Sequence, residues 1–391
     1  MKKFAIKLAV LPTNEQCKYF NQCFGCARLI FNVFLNKKRT YYTNYKYNYS
    51  KYEFLWFLCN IMKPSEDYNY LKQIDKFVLE SAVEQVETAY TNFFEHRAKY
   101  PKFKSKRNYK QSYTTKFTNN NIKIKQIGNE FYLQLPKVKE LKLITPKKNY
   151  KIILNKLLTN EFNIKQATVS CKNNKYYVSL SIEDKTFICN ELTAINESKI
   201  VGIDLGIKEF ATLSNGNIIH NPTYYKTSER QLKKTQRKLS NKKKDSKNYL
   251  KIKSKLNKVH THISNQRLDF LHKQSSKLVN ENQVIVFEDL SIKNMTKNHC
   301  LAKSITDCGW FTFLTMCKYK AVWKGKLILQ ADRFYASSKL CSVCGYKNTS
   351  LVLKDRIWAC PVCKTIHNRD FNASINLRNY GLNILKTKKL I

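Results

Sequence analysis

Acidic residues are scarce in this 391-residue chain: 28 Asp and Glu stand against 71 Lys and Arg, a formal net charge of +43. Such an excess repels itself in a compact fold unless an anion compensates it. A long phosphate backbone is the natural partner, so nucleic acid is the expected ligand. A merely cationic protein, or one held at a membrane surface, is the weaker reading. Long apolar runs are also absent: none approaches the ~18 residues that span a bilayer, and no membrane partner is expected. The opening MKKFAIKLAVLPT superficially resembles an export signal, but Lys7 interrupts its apolar part and no small-residue cleavage site follows. Thirteen cysteines, an odd number, without an export signal argue against a disulfide framework and for a reducing, cytoplasmic setting. With 43% hydrophobic residues the chain has material for real cores. At roughly 150 residues per domain it suggests two or three domains.

Along the chain, Thr13 and Gln16 fit a capping box that opens a helix. Phe20, Phe24, Ala27, Phe31 and Phe34 follow at 4-3-4-3 spacing, one apolar face. Cys23 and Cys26 form a CxxC pair inside that helix; with no second pair nearby they read as helix-face residues. Helical patterns continue to about residue 98. The stretch 97–110 then holds seven Lys or Arg and no acid, interleaved with Tyr100, Phe103 and Tyr109. Lys102, Lys104, Lys106 and Arg107 are placed to track phosphates while the rings stack on bases; a solvated loop is the alternative. Residues 112–190 alternate like strands and hairpins, one of them turning on Asn173 and Asn174. Residues 226–258 carry 14 Lys or Arg against Glu229 and Asp245. Ile252, Leu256, Val259 and Ile263 keep helical spacing, so this reads as a helical hairpin with a narrow apolar seam and a basic face. Lys233, Lys234, Arg237, Lys242, Lys243 and Lys244 are its candidate nucleic-acid contacts. His260, His262 and His272 have no ligand-type neighbours at useful spacing and read as structural or phosphate-facing.

Three acids interrupt otherwise structural patterns. In VGIDLGIKEFATLSNG, Asp204 sits within an apolar strand, and Asn215–Gly216 favours a two-residue type I′ turn that pairs 201–207 with 210–219. Burying an unpaired carboxylate there costs several kcal/mol, so a cation, a basic side chain or a cleft must compensate it. Glu288 has a similar setting in QVIVFEDLSI, and Asp370 precedes the helical pattern of Phe371, Ile375 and Leu377. Two acids on neighbouring strands and one at a helix start can converge as hard oxygen ligands for Mg²⁺, with Mn²⁺ as an alternative ion. Two such ions roughly 3.5–4 Å apart clamp the attacking and leaving oxygens of phosphodiester hydrolysis. Cys341-x2-Cys344 and Cys360-x2-Cys363, with 15 residues between the pairs, match a four-cysteine zinc site. With no open position the zinc is structural; iron or metal-free thiols are the alternative. Gly345 suits a tight turn in the first knuckle, where the second has Lys364.

VGIDLGIKEFATLSNG, VFEDLSIKNM, the stretch 310–345 through ADRFYASSKLCSVCG, and HNRDFNASIN resemble the motifs of the TnpB family, the OrfB-type transposon-encoded, RNA-guided DNA endonucleases related to type V CRISPR effectors. LPTNEQ, RLIFN and PKFKSK resemble it too, so the likeness covers nearly the whole chain. The resemblance implies a multidomain α/β and α+β fold. Residues 1–10 and 112–195 would form a wedge β-barrel and 11–111 a helical recognition domain. Residues 196–335 and 367–391 would form an RNase H-like RuvC nuclease domain, with the basic hairpin at 226–280 and a zinc ribbon inserted at 336–366. Asp204, Glu288 and Asp370 would be the catalytic metal ligands and Cys341, Cys344, Cys360 and Cys363 the zinc ligands. The implied partners are a guide RNA from the element's end and double-stranded target DNA beside a short flanking motif, with one chain sufficing per RNA. Base pairing would read the target while the protein reads shape and backbone. Three positions depart from the family pattern: Asn368 for a frequent Asp, Ala336 for a frequent Pro, and Lys364 for a frequent Gly. A nuclease-silent RNA-guided repressor predicts the loss of one acid, and all three are present. A compact CRISPR effector shares the chemistry. A transposase acting by strand transfer is disfavoured by a four-cysteine ribbon between Glu288 and Asp370.

Overall fold

The computed structural model of the chain describes residues 2–107, 110–144, 148–187, 194–352 and 354–388. They divide into two compact units, Met1–Ile188 and Cys189–Ile391. Among the described residues no helix is long and apolar enough to cross a membrane.

In the first unit, strand β1 (Lys2–Leu11) leads into helix α1 (Asn14–Tyr45). Thr13 Oγ1 accepts from the Gln16 N–H at 3.3 Å and Gln16 Oε1 accepts from the Thr13 N–H at 3.0 Å, closing the expected capping box. The 4-3-4-3 stripe from Phe20 to Phe34 is buried, together with Cys23 and Cys26. Burial raises the Cys23 thiol to about 12 and the Cys26 thiol to about 11, so both are inert core residues. Helices α2 (Lys51–Phe57) and α3 (Lys76–Phe94) pack beside α1.

Strands β2 (Lys110–Lys116), β3 (Lys123–Ile127), β4 (Glu130–Leu135), β5 (Val138–Leu143), β6 (Phe162–Lys172) and β7 (Lys175–Asp184) join β1 in a seven-stranded sheet ordered β2-β6-β7-β1-β5-β4-β3, with α4 (Lys148–Leu158) between β5 and β6. Asn173 and Asn174, at φ 53° and 59°, make the β6–β7 turn. The first strand thus sits at the middle of a sheet whose other members come 100 residues later, and helices and sheet share one core.

The second unit holds a five-stranded sheet ordered β10-β9-β8-β11-β12. It comprises β8 (Ile200–Leu205), β9 (Glu209–Leu213), β10 (Ile218–His220), β11 (Val284–Glu288) and β12 (Leu327–Ala331). Strands β8, β11 and β12 run parallel, while β9 and β10 are antiparallel. The helices are α5 (Tyr224–Ser240), α6 (Lys247–Glu281), α7 (Ile292–Met295), α8 (His299–Cys308), α9 (Trp310–Trp323) and α10 (Arg369–Thr387). A two-stranded hairpin, β13 (Ile357–Ala359) and β14 (Ile366–Asn368), precedes α10.

The Asn215–Gly216 expectation is corrected in detail. Strands β8 and β9 do pair, Asp204 opposite Thr212, but their connection is Gly206–Lys208. Asn215–Gly216 instead joins β9 to β10, and only Gly216 has a positive φ, 85°. A type I′ turn needs both central residues left-handed. Here the Gly216 N–H bonds the Leu213 carbonyl at 3.0 Å, and Asn215 Oδ1 accepts from the Asn217 N–H at 3.1 Å. The Asn side chain thus makes a local turn of its own and relieves its backbone of the left-handed conformation.

Candidate functional site

Strand alternation decides where Asp204 and Glu288 point. Val201, Ile203, Leu205, Ile285 and Phe287 share a core with α6 and α9. Ile200, Val284 and Val286 instead pack against Leu377 and Leu385 of α10. With side chains alternating between faces, Gly202, Asp204 and Glu288 fall on the α10 side. The parallel register pairs Ile203 with Phe287, so Asp204 and Glu288 follow at equivalent positions on adjacent strands.

Helix α10 lies close against this face. The Arg378 guanidinium donates to the Ile200 carbonyl at 3.2 Å, and a Cβ built on Gly202 would lie 2.1 Å from the Ser374 carbonyl oxygen and 2.4 Å from the Arg378 nitrogen. Two residues of strand and four of helix each advance about 6 Å. Moving from Gly202 to Asp204 therefore runs back along the helix from Ser374 toward Asp370, in its first turn. Asn368 caps that turn, accepting from the N–H groups of Asp370 and Phe371, both at 3.1 Å. Asn serves as an N-cap as well as Asp does, which explains why Asn368 is tolerated there.

Electrostatics record the convergence. Burial, then the charges of Asp370 and Glu288, raise the half-buried Asp204 carboxyl from 3.8 to about 7, against the opposing pull of Arg369 and Arg356. Burial also raises Glu288, with Arg369 opposing. Among the described residues only the four cysteines bring three or more ligand atoms within 4.8 Å of one another, so the three carboxylates stand farther apart than that. Arg356 Nη1 stands 3.3 Å from Asp370 Oδ1. Sequence reasoning missed Arg356, Arg369 and Gly202: no spacing rule ties a ribbon arginine to an acid 14 positions on.

The cysteines form a second centre. Cys341 and Cys363 Sγ lie 3.5 Å apart, as do Cys344 and Cys360. Four sulfurs this close, in a ribbon whose core is Cys341, Leu351, Trp358 and Cys360, fit a tetrahedral thiolate metal such as zinc. Thr365 hydrogen bonds lower the Cys363 thiol to about 6, favouring the thiolate a metal needs. The knuckles match: the Gly345 N–H bonds the Cys341 carbonyl and the Lys364 N–H bonds the Cys360 carbonyl, each at 2.9 Å. Gly345 and Lys364 both take left-handed backbone, φ 75° and 61°. Lys364 therefore holds a conformation that glycine adopts more easily.

The basic candidates divide. Lys102, Lys106 and Arg107 are exposed, but Lys104 turns inward. Its Nζ donates to Gln85 and sits 4.0 Å from the Phe31 ring centroid, and burial lowers it to about 8. Asn32 grips the Lys104 backbone through both N–H and carbonyl, so this residue staples the loop. The Arg39 guanidinium lies over the rings of Tyr100 and Phe103, while Tyr109 lies outside the described residues. On α5, Lys233, Lys234 and Arg237 share an open basic face with Arg230 and Lys238, and Lys233 also meets Glu229 at 3.1 Å. Lys242, Lys243 and Lys244 are exposed in the turn between α5 and α6, and His260, His262 and His272 lie exposed along α6.

Three family models match the chain: "Probable transposase" over residues 179–299, "Cas12f1-like, TNB domain" over 310–377, and "Helix-turn-helix domain" over 1–46. The last stretch here forms one strand and one long helix. The "Putative RNA-guided DNA endonuclease" of Streptomyces pristinaespiralis is 34% identical over 97% of this chain and 90% of its own length. The "Putative RNA-guided DNA endonuclease InsQ" of Escherichia coli K12 is 27% identical over 99% and 94%. Among solved structures, the protein chain of a Cas12f1–sgRNA–target DNA complex aligns with a TM-score of 0.65 at 15% identity, covering 94% of this chain and 83% of the other. The mini RNA-guided endonuclease CRISPR-Cas_phi3 aligns at 0.53 with 9% identity, covering 97% and 92%. These two likenesses concern the fold.

Proposed function

The chain belongs to the transposon-associated TnpB family of RNA-guided DNA endonucleases, and from that premise we propose that it cuts guide-selected DNA by metal-dependent phosphodiester hydrolysis at Asp204, Glu288 and Asp370. The observation that carries this reading is the shared face: alternation and register put two acids on neighbouring strands beneath the helix turn that holds the third. Burial first, and then the charges of Asp370 and Glu288, raise the Asp204 carboxyl, and divalent cations would relieve both the burial cost and the repulsion. Bound between these carboxylates, two Mg²⁺ ions would supply an activated water and neutralise the charge developing at the scissile phosphate.

The protein's own part is placement. Asp204 and Glu288 stand on hydrogen-bonded parallel strands, rigid supports for carboxylates. Arg356 and Arg369 offset their charge from the ribbon side. Phe334, 89% exposed, stands three residues beyond Ala331, the register partner of Glu288. Its neighbours are tied down, Arg333 to Asp289 at 3.0 Å and Tyr335 to the Asn376 carbonyl at 3.1 Å, and its ring stands free in solvent as a stacking face for a base of the incoming strand.

The second unit is read as the RNase H-like RuvC domain, residues 196–335 and 367–391, with the zinc ribbon at 336–366. Residues 1–10 and 112–195 are read as the wedge barrel and 11–111 as the recognition domain. Guide RNA and target DNA are the partners, with the exposed lysines and arginines of 102–107, α5 and the α5–α6 turn on their phosphates.

The test is to purify the protein from cells carrying its native flanking DNA, sequence any bound RNA, and challenge the complex with a plasmid library of randomised target flanks. A discrete RNA and Mg²⁺-dependent cutting beside a recurrent flank are expected. No discrete RNA and no cutting would end the reading.

A further inference from the structure

The helix that carries Asp370 is fastened to the cysteine ribbon by side chains outside both sets of candidate metal ligands. Asn372 is 1% exposed and Asn376 4%. One turn apart, both donate to the carbonyl of Leu340, the residue before Cys341, at 2.6 and 2.7 Å. Asn372 Oδ1 accepts from the N–H of Ser342, the residue after Cys341, at 3.0 Å, and Asn376 donates also to the Ser337 carbonyl at 2.8 Å. The backbone on both sides of the first ligand is therefore gripped by α10.

A third fastening reaches the sulfur itself. His367, 6% exposed and packed on Trp358 of the hairpin, holds Nε2 at 3.1 Å from Cys341 Sγ. A metal-bound thiolate would keep lone pairs, and with the site filled this contact would be an Nε2–H donated to sulfur, of the kind that orients metal ligands. Around Asp370 the anchors continue: the Arg369 N–H bonds the Arg356 carbonyl at 2.8 Å and its guanidinium the Val352 carbonyl at 3.0 Å. Positions 367, 369, 370, 372 and 376 thus all have partners in the ribbon.

The ribbon cannot hold that shape on packing alone. Its buried core is two cysteines, Leu351 and Trp358, and small domains with so little core fold on their metal. Without it, Asn372 and Asn376 would be buried amides robbed of acceptors, and the first turn of α10 would have only its own cap. We infer that His367, Asn372 and Asn376 are positioning residues through which an occupied four-cysteine ribbon fixes Asp370, so that nuclease activity depends on a metal that takes no part in the reaction. This rests on the reading of Asp370 as a nuclease ligand.

The experiment uses the full chain loaded with guide RNA, with Co²⁺ in place of the ribbon metal. His367→Phe should shift the thiolate-to-cobalt charge-transfer band, and His367→Gln, which keeps an N–H donor, should restore it. Asn372→Asp, which turns a donor into an oxygen repelled by the Leu340 carbonyl, should raise the Mg²⁺ concentration for half-maximal cutting through the displaced Asp370. Stripping the ribbon metal with a chelator and thiol reagent, then returning excess Mg²⁺, should leave the RNA bound and cutting lost until Zn²⁺ is added. Cutting and Mg²⁺ requirement unchanged after stripping would overturn the inference, as would identical cobalt spectra for all three proteins. Should Asp370→Asn cut like the parent, the nuclease reading would fall, and the cobalt spectra would still report the His367 contact by itself.

Discussion

Gly202 gives the sharpest mechanical test of how α10 is seated. Its strand face carries no side chain, and the helix backbone fills the space. Gly202→Ala would put a Cβ 2.1 Å from the Ser374 oxygen, 2.4 Å from the Arg378 nitrogen and 3.1 Å from the Arg378 Cα. All three are backbone atoms, which cannot rotate away as a side-chain tip would. Ordinary contact begins near 3.4 Å, so the helix must retreat by more than an ångström. Overpacking of this kind costs about 1–3 kcal/mol or more, beyond the few tenths to about 1 kcal/mol gained when Ala replaces Gly in the unfolded chain. For a unit of this size each kcal/mol lowers the melting temperature by roughly 2–4 °C. The functional effect should exceed the thermal one, because the helix carries Asp370 and a misplacement of about 1 Å costs on the order of a hundred-fold in rate. Scanning calorimetry and single-turnover cutting by the guide-RNA complex measure both. A variant that melts within a degree of the parent and cuts at the same rate would refute this seating.

Other consequences are separable. The Asp204 carboxyl is raised from 3.8 to about 7 in the fold. The folded state thus holds a proton that the unfolded state has released between about pH 4 and 7, so stability falls as pH rises through that window, by at most about 4 kcal/mol. Without divalent cations, Asp204→Asn should flatten the melting-temperature profile from pH 5 to 8 and melt higher than the parent at pH 8; matching profiles would mean the carboxylate is not strained. Lys364 holds φ 61°, a conformation costing a side-chain-bearing residue about 1 kcal/mol. Lys364→Gly should therefore slow zinc release to a chelator, and faster release would contradict that. Replacing Lys233, Lys234 and Arg237 together with Gln should reduce the salt dependence of RNA binding, the log–log slope falling by about 2 if each meets a phosphate; an unchanged slope would remove α5 from the interface.

Much of the site could be read from sequence because carboxylates and thiols are conspicuous where they do not belong. Asp204 and Glu288 stood out against apolar strands, and the Cys341–Cys363 spacing is a ligand pattern in itself. What alternation alone could not reveal was which face they share, since both faces of β8 and β11 are apolar. That needed α10, which arrives more than 80 residues after Glu288. Lys104 looked like its basic neighbours, yet Asn32 and Gln85, remote in sequence, draw it inward. Arg356 carried no signal because its role exists only once the β13–β14 hairpin brings it back to Asp370. The turn at Asn215–Gly216 joins β9 to β10 rather than the two strands its spacing suggests, and its geometry differs too, because an Asn side chain can make the turn that its backbone would otherwise make.

The central claim is that Asp204, Glu288 and Asp370 act together as the metal-binding cutting site. Its most direct test is target cutting in Mg²⁺ by three guide-RNA complexes carrying Asp204→Ala, Glu288→Ala or Asp370→Ala. Each should bind RNA like the parent and cut neither strand. Cutting at the parent's rate by any one of them would contradict the account.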